Sequence, residues 1–101
     1  RWARAAALTF QMIYQQPVRH EYQQITPPTL LVVGADDHVV PLGQYAKPAE
    51  AARLGDFMGL SAAAAKDIPR ATRVVIPDCG HVPHLEHPGR FLADLLPFLA
   101  S

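Results

Sequence analysis

Two turns, each at the end of an apolar run, carry side chains that exchange protons. The run at 29–33 leads to Asp36 and Asp37, and the run at 73–76 leads to His81. A histidine, whose ordinary pKa is about 6.5, can take up and return a proton near neutral pH. A neighbouring carboxylate holds its tautomer and stabilises its charged form. These residues therefore predict two members of a nucleophile, histidine and acid triad. The alternative is that Asp37 caps a helix or turn and that His81 is an ordinary loop histidine.

The elements before the two turns must bring them together. Residues 30–33 are apolar without alternation, and residues 72–76 are again rich in β-branched side chains, which favours buried strands of a parallel sheet. The carboxyl ends of parallel strands lie at one edge of the sheet, so Asp37 and His81 can meet although they are far apart in sequence.

Helical periodicity surrounds the two strands. We expect an amphipathic helix over 1–15, a polar linker at 19–24, and two short helices at 48–54 and 60–68. A terminal helix begins at Pro88, with Pro97 kinking or ending it. Its apolar residues are predicted to share one face buried on the sheet: Phe91, Leu92, Leu95, Leu96 and Leu99. The order predicts an α/β fold of parallel strands covered by helices.

A nucleophile is harder to place. The serines are Ser61 and Ser101, and the stretch 59–63 superficially imitates the Gly-x-Ser-x-Gly elbow. No strand precedes this stretch and helix-forming alanines follow it, so Ser61 is not interpreted as the nucleophile. Cys79 is two residues from His81, and a side chain that close along an extended turn points elsewhere.

A metal site is a weaker alternative. His81, His84, Glu86 and His87 are close in sequence, but they match neither His-Glu-x-x-His nor His-x-x-Glu-His, because Pro83 occupies a required position. We expect no metal and no cofactor. A metal-dependent site would instead predict that a chelator abolishes activity.

Composition narrows the classes of partner. The 101 residues are 50% hydrophobic and 18% charged, enough for one small domain. Nine basic and nine acidic residues cancel without forming runs, which disfavours nucleic acid and anionic membranes. The lone Cys79 excludes an intrachain disulfide and fits a reducing compartment, so a cytoplasmic location is expected.

Two stretches resemble the α/β-hydrolase superfamily. Residues 28–41 (PTLLVVGADDHVVP) are similar to its acid-bearing strand and turn, and residues 77–91 (PDCGHVPHLEHPGRF) to its histidine turn and final helix. They occur in the family's order and lie in the last three quarters of the chain. The resemblance implies that Asp37, third after the glycine, is the triad acid, and that His81 is the general base. It also requires a nucleophile upstream of the acid, which excludes Ser61.

The same resemblance implies the domain organisation. Residues 1–26 correspond to the end of a lid helix and a linker, and residues 27–101 to the C-terminal part of the hydrolase core, with the nucleophile half missing. Because the chain opens at Arg1 in mid-helix, we expect the tail of a longer polypeptide. The remainder of the core, in the same or a separate chain, would supply the nucleophile. This chain alone is predicted to be inactive, because no residue on it fills the nucleophile's role. An alternative to a missing larger part is that two or more copies complete the sheet between them.

The implied activity is hydrolysis of a small-molecule ester or similar carbonyl compound through a covalent intermediate. The superfamily also includes haloalkane dehalogenases and epoxide hydrolases, which use an aspartate nucleophile, and carbon–carbon bond hydrolases. From a different class, a non-catalytic ligand-binding or interaction protein on the same fold stays open, because fold does not determine function.

Overall fold

The computed structural model describes residues 1–15, 17–40 and 43–101. Within these ranges the chain forms five α-helices, two strands and two 3₁₀ helices. The α-helices and strands are α1 (Trp2–Gln15), β1 (Thr29–Gly34), α2 (Pro48–Leu54), α3 (Phe57–Asp67), β2 (Ala71–Ile76), α4 (Pro83–Glu86) and α5 (Pro88–Ala100). The 3₁₀ helices span Val18–Gln24 and Gly43–Tyr45.

The two strands form a parallel pair, as predicted. The register runs from Thr29 opposite Ala71 to Gly34 opposite Ile76, so the strands end level with each other. Burial is concentrated at this end, where Val33 and Ile76 are almost fully enclosed. The α/β architecture predicted from the sequence is confirmed, and the turns after β1 and β2 start side by side.

Helices α3 and α5 each pack against both strands. Helix α3 begins three residues earlier than predicted, because the Asp56 carboxylate accepts a hydrogen bond from the backbone N–H of Gly59 at 3.0 Å and caps the first turn. Helix α3 also contacts the sheet through Arg73 of β2. The Arg73 side chain donates to Ser61 Oγ at 2.9 Å and to the Met58 carbonyl at 2.9 Å. These bonds link α3 to β2.

Three local predictions are wrong or incomplete. Residues 19–24, predicted as a polar linker without defined secondary structure, lie in the first 3₁₀ helix. Helix α5 continues past Pro97 to Ala100, although proline lacks an N–H donor and its ring crowds the carbonyl four residues before it. The sheet-facing side of α5 is narrower than predicted: Phe91 and Leu95 are half-buried, whereas the remaining members of the expected face, Leu92, Leu96 and Leu99, are exposed.

Apolar side chains also lie exposed along α1, including Trp2, Leu8, Met12 and Ile13. Much apolar surface therefore stays open, as expected for a small two-stranded unit. No helix in the described part of the chain is both long and apolar enough to cross a membrane.

Candidate active site

The turn after β1 places Asp37 in a buried position. Only 7% of Asp37 is exposed, whereas the neighbouring Asp36 is exposed. The turn closes through the Asp37 N–H, which donates to the Gly34 carbonyl at 3.2 Å, and Asp37 Oδ1 accepts from the Val39 N–H at 3.1 Å. One carboxylate oxygen thus holds the turn in shape, and the other is free to face a second partner.

That partner is His81. Its Nδ1 lies 3.0 Å from Asp37 Oδ2, while 54% of the His81 side chain is exposed. A carboxylate offers only acceptors, so Nδ1 carries the hydrogen in this bond and the Nε2 lone pair is left for a proton. The structure therefore brings together the two residues that the sequence singled out, in the tautomer that a general base needs.

A glycine makes this meeting possible. A Cβ on Gly34 would collide with the carbonyl oxygens of Gly80 and Cys79 and would lie 2.8 Å from the Cys79 carbonyl carbon. The two turns are also joined by the Asp36 N–H, which donates to the Cys79 carbonyl at 2.8 Å. Only a residue without a side chain lets the turns approach this closely.

The histidine turn, residues 77–82, is stabilised by hydrogen bonds to the Glu86 side chain, a role that the sequence did not reveal. Glu86 Oε1 accepts from the Gly80 N–H and Oε2 from the Val82 N–H, each at 3.1 Å. These two amides flank His81. The spacing Gly-His-Val followed four residues later by Glu is the only sequence signal that could have suggested it.

His84 and His87 have separate partners rather than a shared one. The His87 Nε2–H donates to the Asp78 carbonyl at 2.7 Å, and the His84 ring packs against Phe91 with centroids 5.9 Å apart. Asp78 has a left-handed backbone with φ of 51°, which aspartate tolerates better than most residues. Among the residues that the structure describes, no group of three metal-binding side chains is arranged to hold an ion.

Two further side chains border the site. The Phe57 ring, at the start of α3, meets the His81 ring edge-on with centroids 6.2 Å apart. His38, interpreted from sequence as a solvated turn residue, is exposed, but its Nδ1 also bonds the Gly55 carbonyl at 3.1 Å. Phe57 was missed because its place depends on where α3 starts, which the Asp56 cap decides.

Neither on-chain nucleophile candidate is arranged for attack. Ser61 lies within α3, so no strand-turn-helix elbow forms around it, and its hydroxyl is engaged with Met58 and Arg73. Cys79 is buried, and burial together with the negative charges of nearby carboxylates raises the pKa of its thiol. A protonated, enclosed thiol is a poor nucleophile.

Asp37 and His81 lie at one end of an open depression of about 420 Å³ that extends along β1 beside α3. It is bordered by Asp37, His81, Phe57 and Ser61 together with β1 side chains. The end of the depression where Asp37 and His81 lie is the edge at which an open parallel sheet binds its ligands.

Comparison with known proteins agrees with the α/β fold. The model of the alpha/beta hydrolase fold family matches residues 1–88. The chain is 32% identical over 76 residues to pimeloyl-[acyl-carrier protein] methyl ester esterase of Nitrosomonas europaea, covering 75% of this chain and 24% of that protein. A crystal structure of a probable hydrolytic enzyme from Pseudomonas aeruginosa PAO1 superposes with a TM-score of 0.88 at 41% identity, over 94% of this chain and 30% of that one.

Parallel strands covered by helices define an α/β protein. The chain belongs to the alpha/beta hydrolase fold family. It spans 24% of the length of the first relative and 30% of the length of the second.

Proposed function

We propose that this chain supplies the acid and the histidine of a hydrolytic triad that acts on a small-molecule ester. Asp37 orients His81 and stabilises its charged form, and His81 Nε2 takes the proton of a nucleophile. The observation that carries the proposal is the 3.0 Å bond from His81 Nδ1 to the buried Asp37 carboxylate.

The proposal that the substrate is an ester rests on the name of a relative. The Nitrosomonas europaea protein is named as a methyl ester esterase, and the Pseudomonas aeruginosa structure as a probable hydrolytic enzyme. Attack on an ester carbonyl gives a covalent acyl intermediate and releases the alcohol, which receives the proton from His81. Water, activated by the same histidine, then hydrolyses the intermediate.

The nucleophile comes, in this proposal, from the remainder of the hydrolase core, upstream in the same chain or in a partner chain. Residues 1–26 are assigned to the end of a lid and a linker, and residues 27–101 to the C-terminal part of the core. A cytoplasmic location is part of the same proposal. The chain by itself is expected to be inactive, because Ser61 and Cys79 are both engaged or enclosed.

The test is turnover of short-chain p-nitrophenyl esters by the full-length protein, comparing the parent with His81→Ala. We expect kcat to fall by roughly 1,000-fold or more while KM changes little, because His81 acts on the proton rather than on substrate affinity. His20→Ala is the matched control, since His20 is an exposed histidine of the first 3₁₀ helix.

Two measurements separate the alternatives. Mass spectrometry of proteolytic peptides, before and after exposure to a fluorophosphonate, would locate a modified upstream serine, whereas an aspartate nucleophile would stay unmodified. Absence of turnover with every ester, combined with tight binding of a ligand that His81→Ala weakens, would instead identify a non-catalytic binding protein.

A further inference from the structure

The Glu86 carboxylate is placed to control the conformation of the histidine turn. It lies at the end of α4 and accepts one hydrogen bond on each oxygen, from the backbone N–H groups of Gly80 and Val82. Both bonds are 3.1 Å long. His81 is the residue between those two amides, and so the carboxylate spans its backbone.

The two amides matter because of the peptide units to which they belong. The Val82 N–H is part of the peptide that follows His81, and its direction is set by the ψ angle of His81. The Gly80 N–H is part of the peptide that enters the turn. A rigid carboxylate bonded to both therefore restricts the backbone from which the imidazole projects.

The same segment is closed by a second set of bonds. The Val82 carbonyl accepts from the N–H groups of Leu85 and Glu86, each at 3.0 Å. Val82 thus contacts the side chain of Glu86 through its N–H and the backbone of Glu86 through its carbonyl. The result is a small ring of hydrogen bonds that includes the backbone of the histidine turn.

Local packing shows that the turn is shaped around this carboxylate. A Cβ on Gly80 would lie 3.3 Å from both Glu86 oxygens, so the glycine leaves the carboxylate the room it occupies. The Cys79 Sγ lies 4.0 Å from Glu86 Oε2, and the negative charge of Glu86 is one of the causes that raise the thiol's pKa. Glu86 thus contacts Cys79 and Gly80 before His81 and Val82 after it.

The side chain of His81 needs this support. More than half of it is exposed, and the contacts described for its ring are the Asp37 bond and the edge of Phe57. An exposed ring held at one nitrogen is free to swing unless its backbone is restrained. A misplacement of about 1 Å can cost on the order of 100-fold in rate.

We infer that Glu86 is a positioning residue, which fixes the backbone on both sides of His81 and so keeps the imidazole aligned on Asp37. The catalytic part of this inference rests on the proposed function, whereas the structural part does not. Glu86 itself has no contact with the reacting atoms in this assignment.

The experiment compares Glu86→Gln and Glu86→Ala with the parent in the full-length protein. Glutamine keeps the shape and one acceptor oxygen but turns a donor toward the other amide, so we expect a fall in kcat of a few-fold to about 10-fold. Alanine removes both acceptors, and we expect a fall of about 10- to 100-fold with KM changed by less than about three-fold.

Two controls separate alignment from loss of stability. Glu50→Gln neutralises an exposed glutamate of α2 and should leave kcat unchanged. Arg73→Ala removes the bonds that link β2 to α3, away from the histidine turn, and should lower the unfolding midpoint while kcat stays at the parent value. Equal kcat losses in Arg73→Ala and Glu86→Ala would refute the assignment.

A second readout does not depend on turnover. In the parent, NMR should show a downfield Nδ1–H proton for His81 and slow hydrogen exchange at the Gly80 and Val82 amides. Glu86→Ala should accelerate exchange at both amides and broaden or shift the Nδ1–H signal, whereas Arg73→Ala should not. If the parent has no ester turnover, this readout still decides the assignment: an unchanged His81 signal in a folded Glu86→Ala variant overturns it.

Discussion

Replacing Gly34 with alanine should separate the two turns that carry the acid and the histidine. The added Cβ would overlap the backbone carbonyl oxygens of Gly80 and Cys79 and approach the Cys79 carbonyl carbon to 2.8 Å. These are backbone atoms at the end of a buried strand pair, and they cannot rotate away as a flexible side chain could. The turns must therefore move apart.

The loss of stability expected for Gly34→Ala has two sources. Forcing a methyl group into a packed site costs about 1–3 kcal/mol. Separation also strains the bonds from Asp36 N–H to the Cys79 carbonyl, 2.8 Å, and from Ala35 N–H to the Ile76 carbonyl, 2.9 Å. Each contributes about 1 kcal/mol net. We expect Gly34→Ala to lower the free energy of unfolding by about 2–4 kcal/mol.

The assay is urea denaturation of the full-length protein, followed by ester turnover under conditions in which the variant stays folded. With a typical slope of about 2 kcal/mol per molar urea, the unfolding midpoint should fall by about 1–2 M. The 3.0 Å contact between Asp37 and His81 bridges the same gap, so kcat should also fall, by on the order of 100-fold.

Gly89→Ala is the matched control. Gly89 lies in the first turn of α5, and a Cβ there would meet nothing within 4 Å. Alanine is the better helix former, so this variant should be neutral or stabilised by up to about 1 kcal/mol. A Gly34→Ala protein as stable and as active as Gly89→Ala would refute the close-approach argument.

Three further outcomes are expected. Asp37→Asn should lower kcat by roughly 1,000- to 10,000-fold with KM nearly unchanged, because an amide can stabilise the wrong tautomer of His81; steady-state ester kinetics check this. Ser61→Ala should keep kcat at the parent value and lower the urea midpoint slightly, since Arg73 loses an acceptor. Because burial raises the Cys79 thiol pKa above its ordinary 9.0, the unfolded chain loses that proton first. Stability should therefore fall as pH rises through 9, and urea titrations of Cys79→Ala should lack that fall.

Much of the fold can be predicted from the sequence because it depends on local patterns. The unbroken apolar runs before Asp37 and His81 predict buried parallel strands, and Pro88 predicts the start of the last helix. Errors arise where a single contact moves a boundary. The side chain of Asp56 extends α3 toward its N-terminus, and this cap competes with the breaking tendency of Gly59.

The apolar face of α5 illustrates a different limit of prediction from sequence. The sequence offers a broad apolar surface, but the sheet has only two strands among the described residues and contacts one narrow side of the helix. Phe91 and Leu95 are therefore half-buried while Leu96 is exposed. Periodicity shows which residues are apolar, not how wide the opposing surface is.

The candidate site, like the fold, could be predicted from the sequence only in part. Residue type and position at strand ends singled out Asp36, Asp37 and His81, because only a few side chains can exchange protons near neutral pH, and the family resemblance pointed to Asp37 as the acid. Their tertiary arrangement decided the rest: the burial of Asp37 and not Asp36, the close approach at Gly34, and the two amides that Glu86 holds. These depend on atoms that are distant in sequence and meet only when the two strands pair in register.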